Sequence, residues 1–139
     1  MKRMILAVDG SEPALRATRF AAALRRAVGD LEIVPVNVQE VPEFRVLALY
    51  RAEIMDELRE AAHAAFAEPL ALLKAEGVPV EGRIEFGAPA DRIIALAETL
   101  EADWIVMGTR GLGAIAGLML GSVVTEVLHR AEIPVTAVP

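Results

Sequence analysis

The chain has 139 residues, of which 55% are hydrophobic and 24% are charged, and its net charge is −6. This length suits a single globular domain, and the acidity argues against general binding to nucleic acids or anionic membranes, which requires clustered Lys and Arg. The absence of cysteine excludes disulfides, thiolate nucleophiles and Cys-based zinc sites. The apolar N-terminal run is too short for a secretory signal, and no run approaches the roughly 20 residues of a membrane span, so we expect a soluble, cytoplasmic protein.

The chain begins with a pattern typical of a buried strand and a capped helix. Residues 3–9 form an apolar run that ends at Asp9, as expected for a strand buried on both faces. Ser11 suits the N-cap of a helix over residues 11–28, and Gly29 suits its end. Asp9 therefore falls at the turn between the first strand and the first helix.

The next third of the chain contains two conflicts with regular structure. Residues 31–38 predict a second strand, although Pro35 indicates an edge, a bulge or an irregular ladder there. Residues 39–50 show no clear period and predict a loop or short excursion. We expect some of its apolar side chains to anchor it; the alternative is that residues 44–50 form a lid or pack on a partner. Residues 51–77 have helical periodicity, but Pro69 predicts a kink or break within that helix.

The remainder of the chain continues the alternation of strands and helices. We predict strands over 80–87, 103–108 and 134–138, and helices over 88–101 and 122–132. The whole pattern predicts an α/β fold with a parallel sheet and helices on both faces, built as one domain over residues 1–139. Ligands of such sheets bind beyond the carboxyl ends of the strands, where the strand order reverses.

A glycine-rich loop follows the fourth predicted strand. Its spacing is Gly108-x-x-Gly111, then nine residues, then Gly121-Ser122. This is neither a Walker A motif, since no GK[ST] follows, nor the Rossmann fingerprint, which belongs after a first strand. The spacing nonetheless provides the parts of an anion site: a turn at Gly108, a positive φ and an exposed amide at Gly111, and free N–H groups at the start of a helix at Gly121. In a purely structural loop, the glycines would serve the turn and Ser122 would only cap the helix. The spacing alone favours neither interpretation.

Three segments resemble the universal stress protein family: "MILAVDGSEPA", "GAPADRIIALAETLEADWIVMGTRG" and "LGSVVTEVLHRAEIPVTAV". The resemblance extends over essentially the whole chain. It implies a five-stranded parallel sheet in the order 3-2-1-4-5 with helices on both faces, a Rossmann-like fold related to the adenine nucleotide alpha hydrolases. In that family the spacing G-x-x-G, nine residues, G-[ST] marks the members that bind ATP.

The resemblance also implies a set of nucleotide-binding residues. The glycines and Ser122 would hold the triphosphate, Asp9 would contact the ribose or a metal, and Val38 would touch adenine. Many relatives have His at the positions of Asn37 and Arg110, and both differences affect outer contacts. The residues expected at the site are Ala7, Val8, Asp9, Val38, Met107, Gly108, Thr109, Arg110, Gly111, Gly121, Ser122 and Val123.

The function implied is an ATP-binding stress or regulatory module, with Mg²⁺ held through the phosphates. We expect weak or no hydrolysis and no dedicated catalytic residue or protein metal site, because Asp9 is the only candidate base that the sequence places near the loop. The resemblance further implies a homodimer formed through strand 134–138, which would otherwise be an unprotected edge. The alternatives are a scaffold of the same fold that binds no nucleotide and, more weakly, a flavin carrier.

Overall fold

The computed structural model describes residues 2–112 and 120–139, which alternate between strands and helices. The strands are β1 (Lys2–Ala7), β2 (Leu31–Gln39), β3 (Arg83–Phe86), β4 (Trp104–Gly108) and β5 (Val135–Val138). The helices are α1 (Glu12–Val28), α2 (Phe44–Ala75), α3 (Pro89–Thr99) and α4 (Ser122–Arg130). The part 113–119 of the glycine loop lies outside the described residues.

The strands form one parallel sheet in the order β3-β2-β1-β4-β5, which confirms the expected architecture. In the middle of the sheet, Ile5 of β1 pairs with Val34 of β2 on one side and with Ile105 of β4 on the other. β1 is consequently buried on both faces, and Met4, Ile5 and Leu6 are inaccessible to solvent. This explains why its sequence is continuously apolar and does not alternate.

Two hydrophobic cores lie on opposite faces of the sheet. One core packs α1 and α2 against the sheet, with the Phe66 ring and Leu73 of α2 among its buried side chains. The other packs α3 and α4, with Ile93 and Val127 at its centre. Side chains of successive strand residues enter alternate cores, so each core depends on all the central strands.

Pro35 lies in an interior strand but at a local edge. β2 pairs with β3 only from Val36 onward, so Pro35 has no β3 neighbour. The Val36 carbonyl accepts from the Val8 amide (2.9 Å) and so faces β1, which means that the missing N–H of Pro35 would face the unpaired side. The proline therefore removes no ladder hydrogen bond.

The predicted loop over 39–50 is wrong for its second half. α2 begins at Phe44, and its backbone leaves helical geometry only at Tyr50, where φ is −133° and ψ is 33°. This first part of the helix has no buried face: Phe44 is 82% exposed and Leu49 is 76% exposed. A search for an amphipathic period therefore could not find it, and its apolar side chains do not anchor it as expected.

A break of the helix at Pro69, one of the two outcomes predicted there, is also wrong. α2 runs through Pro69, and the only non-helical residue within the helix is Tyr50. Pro69 is buried on the face that also carries Phe66 and Leu73. Tertiary burial of this face outweighs the roughly 3 kcal/mol that an internal proline costs a helix.

Candidate functional site

A cleft of about 600 Å³ opens at the carboxyl end of the sheet. It lies where β1 and β4 are neighbours but lead into helices on opposite faces, which is the switch point at which parallel α/β sheets bind ligands. The described residues that line it are Ala7, Val8, Asp9, Val36, Asn37, Val38, Gln39, Glu40, Pro89, Ile93, Met107, Gly108, Arg110, Gly111, Leu112, Gly121, Ser122, Val123 and Val124.

The structure brings together eleven of the twelve site residues expected from the sequence. Thr109 is the exception, because it does not line the cleft. Its amide donates to the Val138 carbonyl (2.8 Å), and its carbonyl accepts from the Gly121 amide (2.7 Å). Thr109 thus joins the two ends of the glycine loop to each other and to β5.

Asp9 connects the first strand to the glycine loop. Its Oδ1 accepts from the Ser11 amide (3.0 Å), and its Oδ2 accepts from the Leu112 amide (3.2 Å). The Ser11 hydroxyl in turn accepts from the Ala14 amide (3.2 Å) and caps α1. One half-buried carboxylate therefore both forms the turn into α1 and holds the loop.

Two loop positions require glycine because other atoms occupy the space of a side chain. A Cβ on Gly111 would lie 2.4 Å from the Oδ2 of Asp9. A Cβ on Gly108 would lie 2.7 Å from the Cβ of Pro13 in α1. The predicted positive φ of Gly111 is wrong, since the positive φ values in the described part of the chain belong to Gly10, Gly29, Gly77, Gly87 and Glu101. Close approach, and not backbone conformation, explains the glycine at 111.

The N-terminus of α4 presents to the cleft backbone donors that have no partner among the described residues. Gly121 is the N-cap and has no side-chain cap, so Ser122 is the first helical residue and not the cap. The Gly121 amide is bonded to Thr109, but the amides of Ser122, Val123 and Val124 belong to the first turn and have no partner within the helix. The helix dipole adds to their preference for negative charge.

Gly121 differs from the other two loop glycines because it has room for a side chain. A Cβ there would meet nothing closer than the Arg110 Cα at 3.5 Å, and would lie 3.7 Å from the Gly111 nitrogen. Its φ of −75° is open to any residue. The fold therefore does not require glycine at 121, and a Cβ would only fill space beside the donors of the loop.

At the other end of the cleft, the backbone of Val38 extends past the end of β1. The register between β1 and β2 stops at the pair Ala7–Val36. Backbone groups of alternate residues in a strand point to the same side, so the N–H and C=O of Val38 point toward β1, as those of Val36 do. They lie past the last residue pair between β1 and β2. The adjacent Asn37 side chain, buried at 2% exposure, donates to the Val8 carbonyl (2.8 Å) and fixes the end of β1.

Sequence reasoning missed several lining residues. Pro89 and Ile93, in the first two turns of α3, line the cleft. The position of α3 was available in principle, since α3 follows β3 and begins at the same edge of the sheet. Leu112 also lines the cleft, and its amide donates to Asp9, a backbone contact that no side-chain pattern records.

Charged groups in the cleft are few. Among the lining residues in the described ranges, Asp9 and Glu40 are acidic and Arg110 is basic. Within these same ranges, no group of three or more His, Asp or Glu side chains is placed to hold a metal. None of the described helices has the length and apolarity needed to cross a membrane.

Comparisons with known proteins identify the family. The model of the universal stress protein family matches residues 1–139. A universal stress protein of Thermus aquaticus is 38% identical over 138 residues, covering 99% of this chain and 98% of its own length. A universal stress protein of Archaeoglobus fulgidus, solved in complex with dAMP, has 25% identity and a TM-score of 0.71, with 100% of this chain and 98% of that one covered. A further universal stress protein structure, a complex with cAMP, has 30% identity and a TM-score of 0.62. That comparison covers 99% of this chain and 95% of the other. The chain therefore belongs to the universal stress protein family.

Proposed function

We propose that this protein binds an adenine nucleotide, with ATP as its ligand, in the cleft at the ends of β1, β2 and β4. The observation that carries the proposal is the distance across that cleft between two sets of backbone groups that have no partner in the described part of the chain. The Val38 groups lie at the end of β2, and the α4 donors lie beside β4, two strands away. Two strand spacings amount to about 10 Å, a span that suits a nucleoside with its 5′-phosphate.

The end at Val38 suits adenine. Its backbone offers one N–H and one C=O side by side, and the Watson–Crick edge of adenine presents a ring-nitrogen acceptor beside an amino donor. The same edge of guanine presents donors where adenine has its acceptor. The side chains of Val38, Ile93 and Met107 add apolar surface against which a base can pack.

The end at the glycine loop suits phosphates. The amides of Ser122, Val123 and Val124, which have no partner in the described ranges, and the hydroxyl of the exposed Ser122 are donors. The absence of a Cβ at Gly121 leaves space beside them. Mg²⁺ would be held through the phosphates, since Mg²⁺ commonly binds one or two carboxylates together with phosphate oxygens. The complexes of two relatives with cAMP and dAMP support an adenine nucleotide as the ligand class.

We expect weak or no hydrolysis of the bound nucleotide. Asp9 is the carboxylate beside the loop, and each of its oxygens accepts a backbone N–H, from Ser11 and from Leu112. A general base must be placed to take a proton from water, and a carboxylate held in this way serves the loop instead. The proposed role is a stress or regulatory module that senses nucleotide in the cytoplasm and acts as a homodimer.

The dimer would form through β5, an edge strand of the sheet. The carbonyls of Pro134 and Val138 face β4, where they accept from the Ile105 amide (3.0 Å) and the Thr109 amide (2.8 Å). The backbone groups of Val135 and Ala137 therefore point away from β4. Such an unpaired edge is a template for pairing with the same strand of a second chain.

The decisive experiment is calorimetric titration of nucleotide-stripped protein with ATP and Mg²⁺. We expect saturable binding of one ATP per chain, and loss of that binding in Gly121→Val with an unchanged circular dichroism spectrum. Ala23→Val, on the exposed face of α1, is a matched control that should bind normally. Absence of binding to the wild-type protein at millimolar ATP would instead favour a scaffold without nucleotide.

A further inference from the structure

We propose that Arg110 makes this cleft discriminate among adenine nucleotides by their number of phosphates, favouring the triphosphate over the monophosphate. The inference rests on the proposed function, because it concerns the same cleft. It concerns selectivity, and not the binding of the nucleoside or its first phosphate.

The first observation is the charge around the phosphate end. Arg110 is the sole charged residue between Gly108 and Ser122, since the stretch "LGAIAGLML" after Gly111 carries no ionisable side chain. Among the described lining residues, Arg110 is the one basic side chain, and Asp9 and Glu40 are the two acidic ones. Each added phosphate brings negative charge toward those carboxylates, and Arg110 is the side chain that offsets it.

The second observation is that the α4 donors and Arg110 differ in how deeply they are buried. The donors suited to the first phosphate are backbone amides in the first turn of α4, two of which belong to the partly buried Val123 and the buried Val124. Arg110 is exposed, and its Cα lies 3.5 Å from the position of a Cβ on Gly121, beside the start of α4. A phosphate chain leaving the amides toward solvent would therefore meet the Arg110 side chain with its outer phosphates.

The third observation is that Arg110 has no other partner among the described residues. Arg3, Arg92 and Arg130 each pair with a carboxylate, at 2.7, 2.8 and 2.6 Å. Arg110 forms no such pair within residues 2–112 and 120–139. Its guanidinium, always charged and able to bind phosphate oxygens in pairs, would reach the ligand without first losing an ion pair.

The test is a titration of wild type, Arg110→Gln and Arg110→Lys with AMP, ADP and ATP at fixed ionic strength, with and without Mg²⁺. We expect Arg110→Gln to weaken ATP binding about tenfold, ADP binding less, and AMP binding by no more than about twofold. Arg110→Lys keeps the charge and should retain the order of affinities. The effect on ATP should shrink at high salt, since Arg110 is exposed.

Arg19→Gln is the matched control, because it removes the same charge from an exposed position on α1 outside the cleft. We expect its affinities to equal those of wild type. If Arg110→Gln weakened the binding of AMP and ATP equally, or bound ATP as tightly as wild type, this inference would be overturned. The proposed function would remain intact in both cases. A wild-type chain that binds none of the three nucleotides would overturn both.

Discussion

The carboxylate of Asp9 occupies the space that a side chain on Gly111 would need: a Cβ at 111 would lie 2.4 Å from Oδ2. The same oxygen accepts from the amide of Leu112, the next residue along the loop. A contact between residues 102 positions apart thus sets the shape of the loop beside the cleft. It also explains the glycine at 111 without any unusual backbone conformation.

This contact predicts strong coupling between the two positions. Gly111→Ala should displace the carboxylate and lower the free energy of unfolding by about 1–3 kcal/mol. In an Asp9→Ala background the added methyl has room, so the same change should cost much less. Urea denaturation of the two single variants and the double variant measures the coupling. Strictly additive effects would show that Asp9 and Gly111 act independently.

Gly108 and Gly121 should respond oppositely to a single added methyl. Gly108→Ala brings a Cβ within 2.7 Å of Pro13, so we expect a loss of about 1–3 kcal/mol in unfolding free energy. Gly121→Ala meets nothing nearer than 3.5 Å, so it should fold like wild type but bind ATP about tenfold more weakly, because the methyl shields the loop donors. Thermal unfolding and ATP titration of both variants check this, and destabilisation by Gly121→Ala would contradict it.

Asn37 should contribute to stability through its buried side-chain amide. Asn37→Ala leaves the Val8 carbonyl without the donor that Asn37 provides. It also removes the oxygen that accepts from the side-chain amide of Gln39 (2.7 Å). We expect a cost of about 1–3 kcal/mol, seen as a lower urea midpoint with an unchanged slope. Gln39→Ala removes only the partly buried partner and should cost less than Asn37→Ala. Equal costs for the two variants would contradict this account.

The proposed dimer predicts a specific effect of proline in β5. Ala137→Pro removes an N–H that points away from β4, so the chain should fold but remain monomeric. Ala137→Ser keeps the N–H and is the matched control, which should dimerise. Analytical ultracentrifugation distinguishes these outcomes, and a dimeric Ala137→Pro variant would place the interface elsewhere.

The ion pair between Arg130 of α4 and Asp91 of α3 predicts pH-independent stabilisation in the neutral range. The hydrogen bond from Arg130 to Asp91 (2.6 Å) raises the pKa of Arg130, with a smaller contribution from Glu126. A raised pKa stabilises the folded state below the unfolded pKa, and the gain is lost only as pH rises through the folded pKa, which for arginine lies above the neutral range. Arg130→Gln should therefore lower the thermal midpoint by the same small amount at mildly acidic and mildly basic pH. A difference that grows toward basic pH would contradict this.

The order and type of most helices and strands can be predicted from local patterns in the sequence. Apolar runs, the Ser11 cap and the stop at Gly29 depend on neighbours within a few residues, so local patterns record them. Local patterns did not predict the helix over Phe44–Tyr50, because this part of α2 has no amphipathic face. They also allowed a break at Pro69, where burial of the helix face outweighs the low helix propensity of proline. Both errors arise because a helix in a protein is stabilised by its packing as well as by its own residues.

The construction of the cleft depends on contacts between residues that are distant in the sequence. The glycine spacing indicated that the loop was unusual, but the reason for Gly111 is a carboxylate that arrives from β1. The bonds from Thr109 to Gly121 and Val138, and the Val38 backbone beyond the end of β1, likewise depend on which strands are neighbours. Strand order is a global property set by how both cores close, and backbone groups have no residue-type signature, so neither can be read from a local pattern.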